Sequence, residues 1–347
     1  MKTIEVNPLT SSLWMQLIDE CQSDVFHSPR WLEVLVTTYN FTARAILLVN
    51  EENRPLAGIP YIKINDMFSP RIVSLPFSDY CDPIVKDMSQ WTTLTNILIS
   101  EKSPLTVRCL HTTVPLEDSR FELINRANWH GLDLTEDLET IFNNIHSSSR
   151  RAIRKAKKDG VSVRIASEES DLRAFFELHL KIRKDKYRLL AQSFCFLENI
   201  WRNFIVPGQG ALMLTELENK IIGGVFYLKW KDRLYYKFNA SLSDTQSMRP
   251  NDLLMWEGIK YAKEMGLNFL DLGLSDSGQD GLIRYKQKYA TDQKTISFLR
   301  LTPEGGVSKR DTQIRNLLPQ LTDLFTDESV PNEITEKAGN LLYRYFT

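Results

Sequence analysis

The sequence predicts a mixed α/β fold, made of two copies of one unit and closed by a short helical tail. Two observations carry this. Residues 45–64 and 211–230 align without a gap and match at seven of twenty positions, including Glu52/Glu218, Asn53/Asn219 and Gly58/Gly224. The elements implied on either side of these stretches then come in one order, twice over. A chain of 347 residues has room for two such domains, and its 42% hydrophobic and 25% charged residues are those of a globular protein.

Each matched stretch reads as an apolar strand, a Glu/Asn-rich turn and a second apolar strand, which is a β-hairpin. Before the first hairpin the spacing predicts a helix over 31–39; after it come a strand (71–76), a helix (90–100) and a strand (105–110). Before the second, Leu172, Phe175, Phe176, Leu178 and Ile182 place one face of a helix within 172–190, and a shorter helix follows over 196–204. After it come a strand (234–240), an amphipathic helix (252–265) ended by Gly266, and a strand (269–272). A short helix (282–289) and a strand (295–301) complete this half. Polar residues and Gly131 over 128–139 separate the repeats. The expected domains are therefore 1–132 and 133–301. A tail over 302–347 carries Gly305-Gly306 and helices near 312–324 and 333–343.

Composition removes several function classes. Forty-three Lys and Arg against forty-four Asp and Glu give a net charge of −1, so nothing global argues for wrapping DNA. Cys21, Cys81, Cys109 and Cys195 lie far apart, without zinc-finger or redox spacing, and read as reduced thiols. His27, His111, His130, His146 and His179 show no metal-ligand spacing, so no metal is expected. The N-terminus lacks the basic start and apolar run of a signal peptide, and no apolar stretch nears the ~20 residues that span a bilayer. The expectation is a cytoplasmic protein without a transmembrane segment, with peripheral membrane contact left open. No P-loop, dinucleotide fingerprint or Gly-x-Ser-x-Gly elbow is present.

The order strand, helix, helix, hairpin, strand, helix, strand, helix, strand resembles the GCN5-related N-acetyltransferase (GNAT) fold. Two such units in tandem resemble the Fem family of non-ribosomal aminoacyltransferases and the broader FemAB-like acyltransferases. Four stretches carry the resemblance: FHSPRWL at 26–32, SLPFSDY at 74–80, RRAIRKAKKDG at 150–160 and GLIRYK at 281–286. It covers about residues 20 to 300. One departure matters. GNAT proteins hold acyl-CoA pyrophosphate on a glycine-rich loop entering a helix, where backbone N–H groups reach phosphate. The matching residues 244–252 read DTQSMRPND, without glycine, and the first repeat has Pro76, Phe77 and Ser78 there. The resemblance implies no tightly bound cofactor, a donor that is aminoacyl-tRNA or acyl-CoA, and a small-molecule or lipid-linked amine as acceptor.

Lys286 shares a stripe with Leu282, Ile283 and Tyr289, while Arg284 and Lys288 take the other side of the helix. It is either a snorkelling stem or, as the resemblance implies, the family's motif lysine stabilising charge on the reacting carbonyl. Arg150 and Arg154 lie four apart on a helix that Ser147-Ser148-Ser149 can cap, with Ile145, Ala152, Ile153 and Ala156 as its narrow apolar face. They form a solvated cationic face or a clamp for a phosphorylated ligand. Asp79 and Tyr80 follow a strand and sit between Pro76 and Pro83, so Asp79 either makes a turn or orients an attacking amine, with Tyr80 binding beside it. Arg183 matches an arginine of FemAB-like sequences and could equally be a surface ion pair. Asn239, on strand 234–240, is a further candidate substrate-binding residue. Asp271 and the polar run 275–281 lie where α/β sheets open their crevices, although a plain loop suits Asp276 and Asp280. The expected activity is amide formation on an amino sugar or peptidoglycan-precursor amine in envelope or polysaccharide synthesis. An acyl-CoA-dependent GNAT enzyme and a non-catalytic RNA or sugar-phosphate binder are the rivals.

Overall fold

The structure is a computed structural model that describes residues 1–303, 306 and 308–347; of the glycine pair expected in the tail, Gly305 lies outside them. The chain divides into two compact units. One is Met1–Asn128 with Lys294–Pro319 and Thr347, and the other is Trp129–Gln293 with Gln320–Phe346.

The first unit opens with β1 (Lys2–Val6) and α1 (Ser12–Glu20), whose cap Ser11 accepts from the Trp14 N–H. Ser28 caps α2 (Pro29–Tyr39), Pro29 supplies a preset first turn, and Asn40 ends the helix in the left-handed region at φ 55°. Then follow β2 (Ala43–Val49), β3 (Pro55–Ile64), β4 (Arg71–Ser74), α3 (Met88–Ser100) and β5 (Leu105–Cys109). The second half runs through β6 (Glu122–Asp133), α4 (Leu138–Asn144), α5 (Ser147–Lys158), β7 (Ser162–Ile165), α6 (Glu169–Lys181) and α7 (Phe194–Ile200). It continues with β8 (Gly210–Leu217), β9 (Lys220–Trp230), β10 (Arg233–Ser241), α8 (Pro250–Glu264), β11 (Phe269–Asp276) and α9 (Asp280–Gln287). Strand β12 (Asp292–Leu301) and helices α10 (Lys309–Phe325) and α11 (Asn332–Leu342) finish the chain.

Both predicted hairpins are present, and the matched residues do the same work in each. Asn53 and Asn219 take the left-handed turn conformation at φ 58° and 63°, which asparagine tolerates. Gly58 and Gly224 lie where a helix packs on the hairpin, α1 in the first unit and α6 in the second. A Cβ on Gly58 would meet Leu17 of α1 at 2.7 Å, and one on Gly224 would meet Phe175 of α6 at 2.8 Å.

The strand order in the first unit is β1-β2-β3-β4-β5-β12, and in the second β6-β11-β10-β9-β8-β7. Strand β12, expected to close the second unit, pairs antiparallel with β5 (Ser297↔Cys109 to Leu301↔Leu105), and its Leu299 and Leu301 join Trp91, Leu94 and Val107 in the first core. Conversely β6 runs into the stretch read as a polar separator and takes up residues 128–133 of it. Its first residues are exposed, and from Trp129 it belongs to the second unit, where the Trp129 ring stacks on Phe269. Each half thus places its last strand in the other unit, and the tail is shared rather than separate. The second core gathers Tyr227, Leu254, Ile259, Leu272 and Tyr289. Helix α6 stops at Lys181 and relaxes into a wide turn, Ile182–Lys186, short of the expected 172–190. Among the described residues, no helix is long and apolar enough to cross a membrane.

Candidate functional site

The second unit opens its sheet. Strands β10 and β11 run parallel, yet their pairing spans only Arg233↔Phe269 to Tyr235↔Asp271. Beyond that, β10 stays with β9 through a bulge that takes residues 237 and 238 out of the ladder. Strand β11 bends at Gly273 (φ 70°), whose N–H donates to Asp271 Oδ1 at 2.6 Å. The left-handed φ there is one glycine adopts without strain. A cavity of about 680 Å³ lies here, lined among others by Tyr236, Asn239, Arg249, Asn251, Asp252 and Tyr285.

Helix α8 begins in this cavity. Arg249, in the left-handed region at φ 61°, is its N-cap and gives no side-chain cap, and Pro250 is the first helical residue. Where GNAT proteins place a glycine-rich loop, Ser243–Met248 coil into a short 3₁₀ helix, and the Arg249 N–H is already donated to Gln246 O. Asn251 ties the floor together: its Nδ2 donates to Ser241 Oγ (3.0 Å), Asn239 Nδ2 donates to its Oδ1 (3.3 Å), and the Tyr285 hydroxyl donates to its carbonyl (2.9 Å). Asp252 is 9% exposed and accepts from the Tyr289 hydroxyl at 2.6 Å. Burial pushes its carboxyl above the ordinary value, against the stabilising donation from Tyr289.

Of the sequence-predicted residues, Asn239 lines this cavity. Lys286, on α9, is 3% exposed, so it does not snorkel. Its Nζ donates to the carbonyls of Leu274 (2.7 Å) and Gly273 (3.1 Å), on the part of β11 that has left β10, and it is not among the cavity-lining residues. His130, buried nearby on β6, is pushed down to about 4 by burial, with the Lys286 charge adding to the effect. Arg150 and Arg154 share α5 but do not line the cavity. The Arg154 guanidinium lies over the Phe142 ring at 5.3 Å, while Arg150 is half-buried and its side chain makes no hydrogen bond or ion pair among the described residues. The helix is capped by His146 rather than a serine. Arg183 is a clasp and not a surface ion pair: its Nε and Nη2 donate to Leu190 O at 3.0 and 2.9 Å, holding the loop after the wide turn.

Asp79 and Tyr80 lie in the first unit. Asp79 is half-buried in a turn. Tyr80 is fully buried, edge-on to Phe26 and His111 at 5.1 and 5.6 Å, and its hydroxyl donates to Asp24 Oδ1 at 3.3 Å. That makes it a core residue with no face open to a ligand. A cavity of about 430 Å³ in this unit is lined by Asp24, Asp82 and His111, none of them predicted. Their ligand atoms lie within 4.8 Å of one another, a set able to meet a cation, although Asp82 already accepts from the N–H groups of Leu110, His111 and Thr112.

The residues missed in the second unit are Tyr236, Asp252, Tyr285 and Tyr289. The last two had a signal, since they stand four apart at helical spacing, Tyr285 on α9 and Tyr289 on the turn after it. The Asp252–Tyr289 contact spans 37 positions and had none.

Residues 144–287 match the family model described as acetyltransferase (GNAT) domain. Among solved structures, FemX is 15% identical over 92% of this chain and 100% of its own, with a TM-score of 0.62. The C-terminal domain of a putative lysylphosphatidylglycerol synthetase from Agrobacterium fabrum is 10% identical over 89% of this chain and 95% of its own (TM-score 0.56). A tandem GNAT protein from the clavulanic acid biosynthesis pathway is 9% identical over 86% and 97% (TM-score 0.57). No curated protein sequence matches the chain. The fold is the tandem GNAT arrangement, as the FemAB-like resemblance implied.

Proposed function

We propose that this protein, a FemAB-like chain of two GNAT units, transfers an acyl or aminoacyl group from an activated ester or thioester to an amine. The observation that carries the reading is the parting of β10 from β11 beside a bulge, over a cavity floored by Asn239 and Asn251. A donor carbonyl placed in that opening meets backbone and side-chain dipoles that are already fixed, which is how charge on a tetrahedral intermediate is stabilised. The neutral acceptor amine attacks the carbonyl carbon, the donor's C–O or C–S bond breaks as the C–N bond forms, and the proton the nitrogen loses ends on the departing oxygen or sulfur. The Lys286 ammonium holds the bent part of β11 and adds positive charge behind it.

The donor is better read as an aminoacyl ester than as acyl-CoA. The 3₁₀ helix over Ser243–Met248 replaces the glycine loop, and the Arg249 N–H is spent internally. Asp252 then sets a carboxylate in the first turn of α8, where a pyrophosphate would have to sit. The acceptor proposed is an amino sugar or peptidoglycan-precursor amine in envelope or polysaccharide synthesis, as the FemAB-like resemblance implies.

Equilibrium binding of an aminoacyl-tRNA and of acetyl-CoA tests the donor. The aminoacyl-tRNA is expected to bind more tightly, with α5 meeting its phosphates. Replacing Arg150 and Arg154 together by Gln should weaken that binding and cut its log-log salt slope by about 1.5 while leaving the unfolding midpoint nearly unchanged. Unchanged affinity would return α5 to a solvated face. Tight acetyl-CoA binding alone would make the protein an acyl-CoA-dependent GNAT enzyme.

A further inference from the structure

The cavity of the second unit buries a carboxylate without a cation. Asp252 makes no ion pair among the described residues. Its hydrogen bonds come from neutral hydroxyls, those of Tyr289, on the turn after α9, and of Ser149, on α5. Arg249, just before α8, and Lys288, just after α9, bias the carboxylate without pairing with it. A buried charge left like this is costly unless something pairs with it.

The surroundings say what that something is. Tyr236 and Tyr285 line the same cavity, and aromatic faces attract ammonium groups. Asn239 also lines it, and its Nδ2 is spent on Gly224 O and Asn251 Oδ1, so its own Oδ1 is left as an acceptor. A carboxylate, an amide oxygen and two aromatic rings together match a primary ammonium, while Lys186 and Arg249 line other parts of the cavity without an ion pair to Asp252.

We propose that Asp252, with Asn239, Tyr236 and Tyr285, forms an ammonium-binding subsite that fixes an amino group of the substrate in the second unit's cavity. The inference rests on the amide-forming reading of that cavity. The amino group belongs either to an aminoacyl donor or to the acceptor, and the chemistry of recognition is the same for both.

Two pairs of small probes separate these sources. L-alaninamide and propionamide differ by the α-ammonium of a donor; glucosamine and glucose differ by the ammonium of an acceptor. Binding is read by NMR on the full chain, through the Asn239 side-chain amide. In one pair the ammonium-bearing member should bind about 10-fold or more tightly than its partner, and that pair identifies the source. Asp252→Asn, nearly isosteric, should reduce the preference to within about twofold. Tyr236→Leu should reduce it about three- to tenfold, which keeps the test open should Asp252→Asn fail to fold. No preference in either pair, or a preference unchanged in both variants, overturns the subsite. The readout is binding, so an ammonium preference without acyl transfer would sink the proposed function and leave the subsite standing. Transfer without any preference would do the reverse.

Discussion

Replacing Lys286 by Met is expected to lower turnover by about 10²–10³ while changing substrate binding far less. The ammonium is buried and held by the carbonyls of Gly273 and Leu274, at the stretch of β11 that has separated from β10. Met keeps the apolar stem but removes the charge and leaves both carbonyls without that donor. The lost hydrogen bonds cost about 1–3 kcal/mol, partly offset because a buried charge is no longer desolvated. The fold should therefore survive, with the bend of β11 relaxed and the field at the reacting carbonyl gone. Lys286→Arg should not rescue turnover, because a planar fork cannot seat a compact charge between two adjacent carbonyls. Arg284→Met, on the exposed side of the same helix, is the control and should be nearly silent. If the Lys286 and Arg284 variants behave alike, Lys286 has no part in turnover.

Gly258→Ala should destabilise the second unit by about 2–3 kcal/mol. Helix α8 packs so closely on β9 that a Cβ at Gly258 would lie 2.2 Å from the ring of Tyr227. That ring cannot step aside: Tyr227 is fully buried and its hydroxyl donates to Leu254 O at 3.0 Å. The extra methyl must push α8 away from the sheet, and the start of α8 carries Asn251 and Asp252. Urea unfolding should show a lower midpoint with an unchanged slope, and Tyr227→Leu should recover part of the loss by making room. A change under about 0.5 kcal/mol would show that α8 shifts freely.

The hairpins were legible because local chemistry and tertiary packing agree there. Asn53 and Asn219 suit the turns they make, and Gly58 and Gly224 are small where a helix must approach. The placement of β6 and β12 was not legible. Asn128, Gly131 and the polar residues that follow give the end of β6 the look of a linker, and nothing in the local pattern of β12 says that its partner is β5. The site was partly legible. Asn239 lines the second-unit cavity, but Tyr80 looked like a ligand residue when its ring serves the core, and Arg183, read as a family-matched arginine or a surface ion pair, clasps Leu190 O. Lys286 showed a stripe position compatible with two fates, and neither sequence reading anticipated that backbone carbonyls would receive the ammonium. Asp252 escaped notice because its meaning comes from Tyr289 and Tyr236, which reach it only through the fold.

The measurement that bears most directly on the account is acyl transfer by a chain whose second-unit cavity has been filled. Asn239→Trp puts a large ring beside the β10 bulge, where the donor carbonyl is proposed to lie. The unaltered protein, given an aminoacyl-tRNA or acetyl-CoA and a panel of amino-sugar and peptidoglycan-precursor amines, should add the donor's acyl mass to one of them as an amide, read by intact mass. Asn239→Trp should abolish that product while keeping the unfolding midpoint. Transfer by the filled variant at the unaltered rate, or no amide from the unaltered protein with any donor and acceptor pair, would contradict the account.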